Sequence, residues 1–190
     1  EVTQKYKDEG ALKQIKSGDE FQYLHEAIYD SAGRAVSVNL GWNGSNAILS
    51  QIRSYYPWNE LFRGGQLASI VTTQQPETIV QSLAYDAYDA DGNILSIKEP
   101  VSISGTNYND VSSYVYDELG RLTTANIVRN PIGQGLPQPL FTEAFTYNGL
   151  TGVMESKTTN GIPITLSYDD VHPHAVDAYG ANTYTYDANG

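Results

Sequence analysis

The chain has 190 residues, with 11 basic against 22 acidic side chains, a formal net charge of −11 and no cysteine. This length suits one domain, and the acidic balance argues against nucleic-acid binding, because a negative surface repels phosphate backbones. The missing cysteine excludes disulfides, thiolate catalysis and zinc–thiolate sites. No stretch approaches the apolar run of about 18 residues that a membrane-spanning helix needs, so we expect no membrane span.

A short aromatic–turn pattern recurs along the sequence. With the last aromatic residue before each turn as the marker, copies begin at Tyr6, Tyr29, Trp58, Tyr88, Tyr116, Tyr147, Tyr168 and Tyr186, of which those at Trp58 and Tyr168 are degenerate. The four consecutive steps from Tyr29 to Tyr147 are 28 to 31 residues long. Repetition at a near-constant spacing indicates a repeat architecture. We therefore expect one repeat segment over residues 1–190, with roughly eight degenerate hairpins.

The copy "YVYDELGRL" shows why each repeat should form a hairpin. Tyr114 and Tyr116 are two apart, so on a strand their rings share one face. We expect the Asp117 carboxylate to accept hydrogen bonds from backbone N–H groups two or three residues on, and Gly120 to supply a positive φ. "RLTTANIV" then leaves as a second strand. The predicted fold class is all-β, with antiparallel repeat hairpins forming a continuous curved sheet strip.

A helix is the alternative for residues 6–28, whose Glu, Lys and Ala content permits one. Gly10 and Gly18 fall where the other copies place turns, which favours hairpins instead. Because the sequence opens without Met and stops inside a copy of the motif, we expect a piece of a longer polypeptide.

Two further local signals concern turns and strand ends. Asn160-Gly161, between two strand-like runs, predicts a two-residue hairpin of the type I′ kind. Pro137 and Pro139 cannot donate to a central ladder, so they predict a loop or a sheet edge.

The motif also carries a family resemblance. The chain resembles the RHS or YD-repeat family, whose signature YxYDxxGRL is matched in full by Tyr114, Tyr116, Asp117, Gly120, Arg121 and Leu122. Further matches are Tyr29, Asp30, Gly33, Arg34, Tyr88, Asp89, Gly92, Tyr184, Tyr186, Asp187 and Gly190. The stretch from Ser167 to the end is similar to a bacterial family segment in which His-Pro-His-Ala-Val precedes a clean repeat. The pattern is broken at Asn59, Asn148 and Thr151–Gly152, where we expect altered turns.

The resemblance implies a β-strip that spirals into a hollow shell around a toxic C-terminal domain, or an extracellular adhesive scaffold as in teneurins. It implies a non-enzymatic wall segment of a bacterial protein, secreted or on the cell surface. The implied partners are adjacent repeats of the parent chain and an enclosed toxin cargo. The alternative is an adhesin-like module that binds glycans or a surface receptor through exposed tyrosines and Trp42 or Trp58.

Two constellations suggest chemistry, and each has a simpler explanation. His172 and His174 are two apart and would share a strand face, as metal ligands can, but Pro173 suggests a shaped loop. A carboxylate cluster resembles a calcium loop and comprises Asp86, Asp89, Asp91 and Asn93. Its Gly92 is misplaced for an EF-hand, and a turn explains Asp89 and Gly92 without an ion. No nucleophile motif such as GxSxG is present, so we predict no catalytic residues, no cofactor and no bound metal.

Overall fold

The structure, a computed structural model, describes residues 2–18, 21–42, 44–169 and 173–187. Every regular element in these ranges is a β-strand, and the 15 strands follow one another in the sheet in chain order. The prediction of an all-β antiparallel hairpin fold is confirmed. The helix alternative for residues 6–28 is wrong, because these residues form the first three strands. In the described ranges no helix has the length and hydropathy that a membrane crossing requires.

The chain divides into two compact units, Glu1–Pro100 and Val101–Gly190. The first unit holds β1 (Val2–Tyr6), β2 (Leu12–Ser17), β3 (Phe21–Tyr29), β4 (Ala35–Leu40), β5 (Leu49–Tyr55), β6 (Leu67–Gln74) and β7 (Thr78–Tyr88). The strand β8 (Ile94–Ile103) begins in the first unit and ends in the second. The second unit holds β9 (Thr106–Tyr116), β10 (Leu122–Pro131), β11 (Gln138–Tyr147), β12 (Met154–Thr159), β13 (Ile162–Tyr168), β14 (Val176–Tyr179) and β15 (Asn182–Thr183).

The predicted turns lie where the sequence places them. Gly10 and Gly18 have φ of 82° and 63°, the left-handed conformation that glycine adopts without steric cost. Asn160 and Gly161 have φ of 49° and 82° between β12 and β13, and positive φ at both central residues is what a type I′ turn requires. These local predictions are confirmed.

The proline-rich segment before β11 divides into a loop and a strand end. Pro137 lies in the loop, whereas Pro139 is the second residue of β11 and is opposite Val128 of β10. Pairing of β11 with β12 starts only at Glu143, so Pro139 lies where the strand has a partner on one side. This agrees with the expectation of a loop or an edge, since a proline there interrupts no two-sided ladder.

The described residues have almost no hydrophobic core. Only Leu24 and Ala27 are buried apolar residues, at 8% and 3% exposure, and Thr72 is the buried polar one at 7%. The chain exposes 12380 Å², whereas a compact monomer of its mass exposes about 9,000 Å². Most side chains are half-buried against neighbouring strands. Cross-strand contacts, rather than a packed interior, therefore stabilise these strands.

A chain of polar side chains crosses three strands of the first unit. Gln51 Nε2 donates to Thr72 Oγ1 at 3.2 Å, and Thr72 Oγ1 donates to Gln81 Oε1 at 3.0 Å. The three residues are opposite one another in register, and therefore lie on the same face of the sheet. On the opposite face Ile52 is 53% exposed. The hydrogen-bonded face is thus the better covered one.

We expect Thr72→Val to lower the free energy of unfolding by about 1–3 kcal/mol, because the methyl group that replaces the hydroxyl removes the partner of Gln51 Nε2 and of Gln81 Oε1, two partly buried groups. The matched control is Thr73→Val, on the other face of β6, for which we expect a change within about 0.5 kcal/mol. Urea unfolding followed by tyrosine fluorescence measures both. Equal effects of the two substitutions would contradict a role for the polar chain.

Candidate functional site: the turn edge

The turn edge is the set of hairpin ends at which an odd-numbered strand stops and the next even-numbered strand begins. Seven odd-numbered strands lead into such an end, namely β1, β3, β5, β7, β9, β11 and β13. Each of them ends at a tyrosine: Tyr6, Tyr29, Tyr55, Tyr88, Tyr116, Tyr147 and Tyr168. The repeat marker predicted at Trp58 is wrong, because β5 ends at Tyr55 and Trp58 lies in the loop that follows. The other six tyrosines in this set are the predicted markers.

The aspartate after the tyrosine closes the turn. Asp30 Oδ1 accepts hydrogen bonds from the backbone N–H groups of Ala32 and Arg34, both at 2.9 Å. Arg34 Nε donates to Asp30 Oδ2 at 2.8 Å, and the backbone N–H of Gly33 donates to the Asp30 carbonyl at 3.0 Å. The carboxylate therefore binds the residues two and four positions on, rather than two or three as we expected. Gly33 has φ of 77°, as predicted for the turn glycine.

The second full copy of the motif repeats this arrangement. Asp117 Oδ1 accepts from the backbone N–H groups of Leu119 and Arg121 at 2.9 Å, and Arg121 Nε donates to Oδ2 at 2.7 Å. These bonds favour the charged carboxylate and hold the pKa of Asp117 below its ordinary value, chiefly through the Arg121 backbone N–H. The pKa of Asp30 is lowered as well, chiefly through the Arg34 side chain.

The turn tolerates substitution at the arginine position. Asp89 Oδ1 accepts from the backbone N–H groups of Asp91 and Asn93, and Asn93 Nδ2 donates to Asp89 Oδ2 at 2.9 Å. The Asn93 amide is the main cause of a lowered pKa at Asp89. Both carboxylate oxygens of Asp89 thus take part in the turn, as the turn interpretation of the Asp86, Asp89 and Asp91 cluster predicts. Among the described residues no three His, Asp or Glu side chains are close enough to hold a metal ion.

The turn also tolerates substitution at the aspartate position. Asn148 Oδ1 accepts from the backbone N–H groups of Leu150 and Thr151, both at 2.9 Å, so an amide replaces the carboxylate. After β5, the backbone N–H of Tyr56 makes the turn hydrogen bond that the backbone N–H of the aspartate makes in the other copies. The Tyr56 N–H donates to the Gln66 carbonyl at 2.8 Å across a longer loop. The altered turns expected at Asn59 and Asn148 are thus present.

A β-bulge lies next to each of the seven turns of the turn edge. In each of the seven hairpins the register skips one residue of the even-numbered strand, just before the tyrosine pair. The skipped residues are Lys13, Val36, Ala68, Leu95, Thr123, Glu155 and Asp177. A bulge increases the local twist and turns the backbone groups next to it. It leaves the first residue of the even-numbered strand opposite the tyrosine.

Tyrosine hydroxyls join many of the hairpins to the one before. Six of them donate, at 2.7–2.9 Å, to the carbonyl of the first residue of the preceding even-numbered strand. The donor–acceptor pairs are Tyr29–Leu12, Tyr55–Ala35, Tyr88–Leu67, Tyr147–Leu122, Tyr168–Met154 and Tyr186–Val176. We call each such bond a tyrosine rung. Burial is the main cause that raises the pKa of Tyr88 to about 12, so this rung keeps its proton at neutral pH.

The rungs occur where backbone pairing between hairpins has ended. Pairing of β4 with β5 runs from Leu40 and Leu49 to Ser37 and Ile52, three residues short of Tyr55. Within a hairpin, by contrast, pairing reaches the turn itself, as with Tyr29 and Ala35. A tyrosine rung therefore replaces the missing backbone hydrogen bonds between two hairpins.

The turn cations reach across the same gap. A cation lies over the tyrosine ring of the next hairpin, with distances to the ring centroid of 4.2 Å for Arg34 and Tyr55, 4.5 Å for Arg121 and Tyr147, and 5.5 Å for Lys7 and Tyr29. Such contacts are attractive because the ring face is negative. Arg34 Nη1 also donates to the Gly65 carbonyl in the next turn at 2.7 Å. Each arginine thus closes its own turn and contacts the following one.

The remaining predicted residues are partly within the described ranges. Tyr114 is opposite Ala125 in the ladder of β9 and β10, and Gly120 has φ of 71°. Tyr184 and Tyr186 are 46% and 40% exposed. His174 is exposed, whereas its proposed metal-site partner His172 lies outside the described residues. Gly190, predicted as the last turn glycine, lies outside them too.

Sequence reasoning missed the bulge and the tyrosine rungs. It assigned the tyrosines to cross-strand packing, because a repeated aromatic in a strand pattern indicates a packing residue. The usable signal was the choice of Tyr over Phe, since Phe offers the same ring without a donor. All seven odd-numbered strands from β1 to β13 end at tyrosine, although the chain has four phenylalanines.

Comparison with known proteins assigns no relative. No protein-family model matches the chain, and no curated protein is significantly similar to it. The resemblance to YD-repeat proteins therefore depends on the motif residues alone.

We expect Tyr147→Phe to lower the free energy of unfolding by about 0.5–1.5 kcal/mol, because it removes the rung to Leu122 and keeps the ring. The matched control is Tyr114→Phe, since the Tyr114 hydroxyl makes no hydrogen bond among the described residues. Chemical denaturation of both variants measures the difference. A loss at Tyr114 as large as that at Tyr147 would contradict the rung.

We expect the lowered pKa values of Asp30 and Asp117 to make the fold acid-sensitive. Their stabilisation is present above the ordinary value of 3.8 and is lost as the pH falls through the folded-state values, because only the ionised carboxylate makes these bonds. Urea unfolding at a series of pH values between about 6 and 2 measures this loss. Asp117→Asn keeps an acceptor for the turn, as Asn148 does, and should show a smaller loss over the same range. An unchanged pH profile would contradict the assignment.

Proposed function

We propose that the chain is a structural wall segment of an RHS or YD-repeat shell, which encloses or presents a C-terminal toxin cargo of a longer bacterial polypeptide. We place the parent protein outside the cell, secreted or on the surface. The observation that carries the proposal is the tyrosine rung, repeated six times with one geometry. Contacts of this kind serve continuity between repeats.

The spacing of the contacts supports a curved strip. Between hairpins, backbone pairing ends short of the turn edge and side chains bridge the difference. Within hairpins it continues to the turn. We infer that a strip whose backbone pairing is less complete along one edge curves, in addition to the local twist that bulges introduce. Curvature of this sort is what a shell wall needs.

The engagement of the aromatic rings favours a wall over an adhesin. The rung tyrosines use their hydroxyls within the sheet, and cations cover several of the rings. Trp58 is 68% exposed, yet the Arg34 guanidinium lies 4.7 Å from the centre of its ring. The Trp42 ring stacks on that of His25 at 4.1 Å. Each of the two tryptophans thus already has one ring face in contact with a neighbouring side chain.

The test uses the full polypeptide that contains this segment. We expect its downstream region to resist trypsin at concentrations that degrade the same region expressed alone, and electron microscopy to show a hollow particle. The double variant Tyr55→Phe and Tyr147→Phe should increase cleavage, whereas Tyr114→Phe should not. Equal digestion of the downstream region in both contexts would overturn the proposal. Glycan-array binding that Trp58→Ala abolishes would favour the adhesin.

A further inference from the structure

The turn between β11 and β12 places an asparagine directly before a glycine. Asn148 occupies the position of the turn aspartate, and Gly149 follows it. In such a pair the backbone nitrogen of the glycine can attack the side-chain carbonyl carbon Cγ of the asparagine, because the attack closes a five-membered ring within one chain. The glycine has no side chain that would hinder the approach. Adjacent residues thus supply a nucleophile and an electrophile.

The turn leaves the nucleophile accessible. The Gly149 N–H makes no hydrogen bond among the residues that the structure describes, and Gly149 is exposed. Apart from its two chain neighbours, no described residue has an atom within 4 Å of the position that a Cβ atom would take on Gly149. Water can therefore take the proton that this nitrogen loses when it forms a bond to carbon.

Two backbone N–H groups hold the electrophile. Those of Leu150 and Thr151 both donate to Asn148 Oδ1 at 2.9 Å. When the glycine nitrogen bonds to Cγ, an electron pair of the C=O bond moves to Oδ1, which becomes negative. Fixed N–H donors that point at such an oxygen stabilise the developing charge and lower the barrier. The two turn hydrogen bonds thus form an oxyanion hole for attack on Asn148.

The leaving nitrogen has a carboxylate next to it. Asn148 Nδ2 donates at 2.9 Å to Oε1 of Glu155, the residue that the bulge skips in β12. To leave as ammonia, this nitrogen must take up a proton and become positive. A carboxylate within hydrogen-bond distance stabilises that positive charge. The oxygen and the leaving nitrogen thus each have a neighbour that favours the reaction.

We propose that Asn148 is a self-modification site, at which the folded turn promotes conversion of asparagine to aspartate. The Gly149 nitrogen bonds to Cγ and loses its proton to water, while Nδ2 takes up a proton and leaves as ammonia, which gives a cyclic imide. Water then breaks the bond between this nitrogen and Cγ, which restores the backbone with an aspartate. If water breaks the bond to the backbone carbonyl carbon instead, the product is isoaspartate.

The aspartate product fits the turn. Asp117 Oδ1 accepts two backbone N–H groups in the corresponding turn after β9, as Asn148 Oδ1 does here. The conversion keeps this acceptor and adds a negative charge beside Glu155. The inference does not depend on the proposed function, because the reaction needs only the turn itself.

Asn160-Gly161 is a matched control in the same chain. Asn160 Oδ1 accepts from one backbone N–H, that of Thr142 at 2.9 Å, and no carboxylate in the described part of the chain hydrogen-bonds its Nδ2. Both asparagines precede a glycine, so we expect comparable rates of conversion once the chain is unfolded. The two sites have the same nucleophile and differ in the groups around the amide.

The test incubates the intact protein at neutral pH, folded or unfolded in guanidinium chloride, and follows both sites by peptide mapping and mass spectrometry. We expect folded Asn148 to convert about 10-fold faster than folded Asn160, because a second fixed donor and a carboxylate act on Asn148 alone. Folded Asn148 should also convert faster than unfolded Asn148. The proposal is overturned if folded Asn148 converts no faster than either.

A variant tests the carboxylate separately. Glu155→Gln keeps an acceptor oxygen and removes the charge, and it should slow conversion of folded Asn148 about 2- to 10-fold through loss of a charge-assisted contact. Conversion at Asn160 in the same sample should stay unchanged, which shows that the variant has kept its fold. An unchanged rate at Asn148 would contradict the role of Glu155 and overturn the proposal as stated.

Discussion

The hydrogen bond from a tyrosine hydroxyl to the first carbonyl of the preceding hairpin is the contact on which the rest of the sheet depends. Backbone pairing holds the two strands of one hairpin together up to the turn, but it ends early between hairpins. Without the rung, the turn cations would be the contact that joins the turn ends of neighbouring hairpins, as Arg34 does with Gly65 and the Tyr55 ring. The rung extends the contact between two neighbouring hairpins as far as the turn edge.

The rung matters because the described residues bury so little. Two buried apolar residues cannot supply the stabilisation that a packed interior gives an ordinary domain. In repeat proteins of this kind, stability is close to a sum of terms within units and terms between neighbours. Here the turn carboxylate, the turn glycine and the bulge act within the hairpin. The tyrosine hydroxyl and the arginine act between hairpins.

Sequence reasoning could predict the first group and not the second. The Asp–Gly turn is local, so the residue types at Asp30 and Gly33 determine it without knowledge of the neighbours, and the hairpin fold follows from these turns and the strand patterns. The rung joins Tyr55 to a carbonyl 20 residues earlier, and any residue type supplies a carbonyl. The acceptor therefore leaves no trace in the sequence. The marker at Trp58 is wrong for a related reason. The loop after Tyr55 is longer than in the other copies, so its glycines lie far from the strand end. Trp58 is nearer in sequence to these glycines than Tyr55 is.

The difference between contacts within a hairpin and contacts between hairpins explains which departures from the motif the fold tolerates. Asn148 replaces the aspartate and Asn93 replaces the arginine, and each turn still closes, because an amide supplies the needed acceptor or donor over a short distance. The strand-ending tyrosine has no such substitute. Its hydroxyl reaches the carbonyl of the neighbouring hairpin from the far end of the ring, a length that the side chains of aspartate and asparagine do not have. Among the described hairpins the aspartate and arginine positions vary while the strand-ending residue is tyrosine each time, which is the pattern expected when the between-hairpin contact is the stricter requirement.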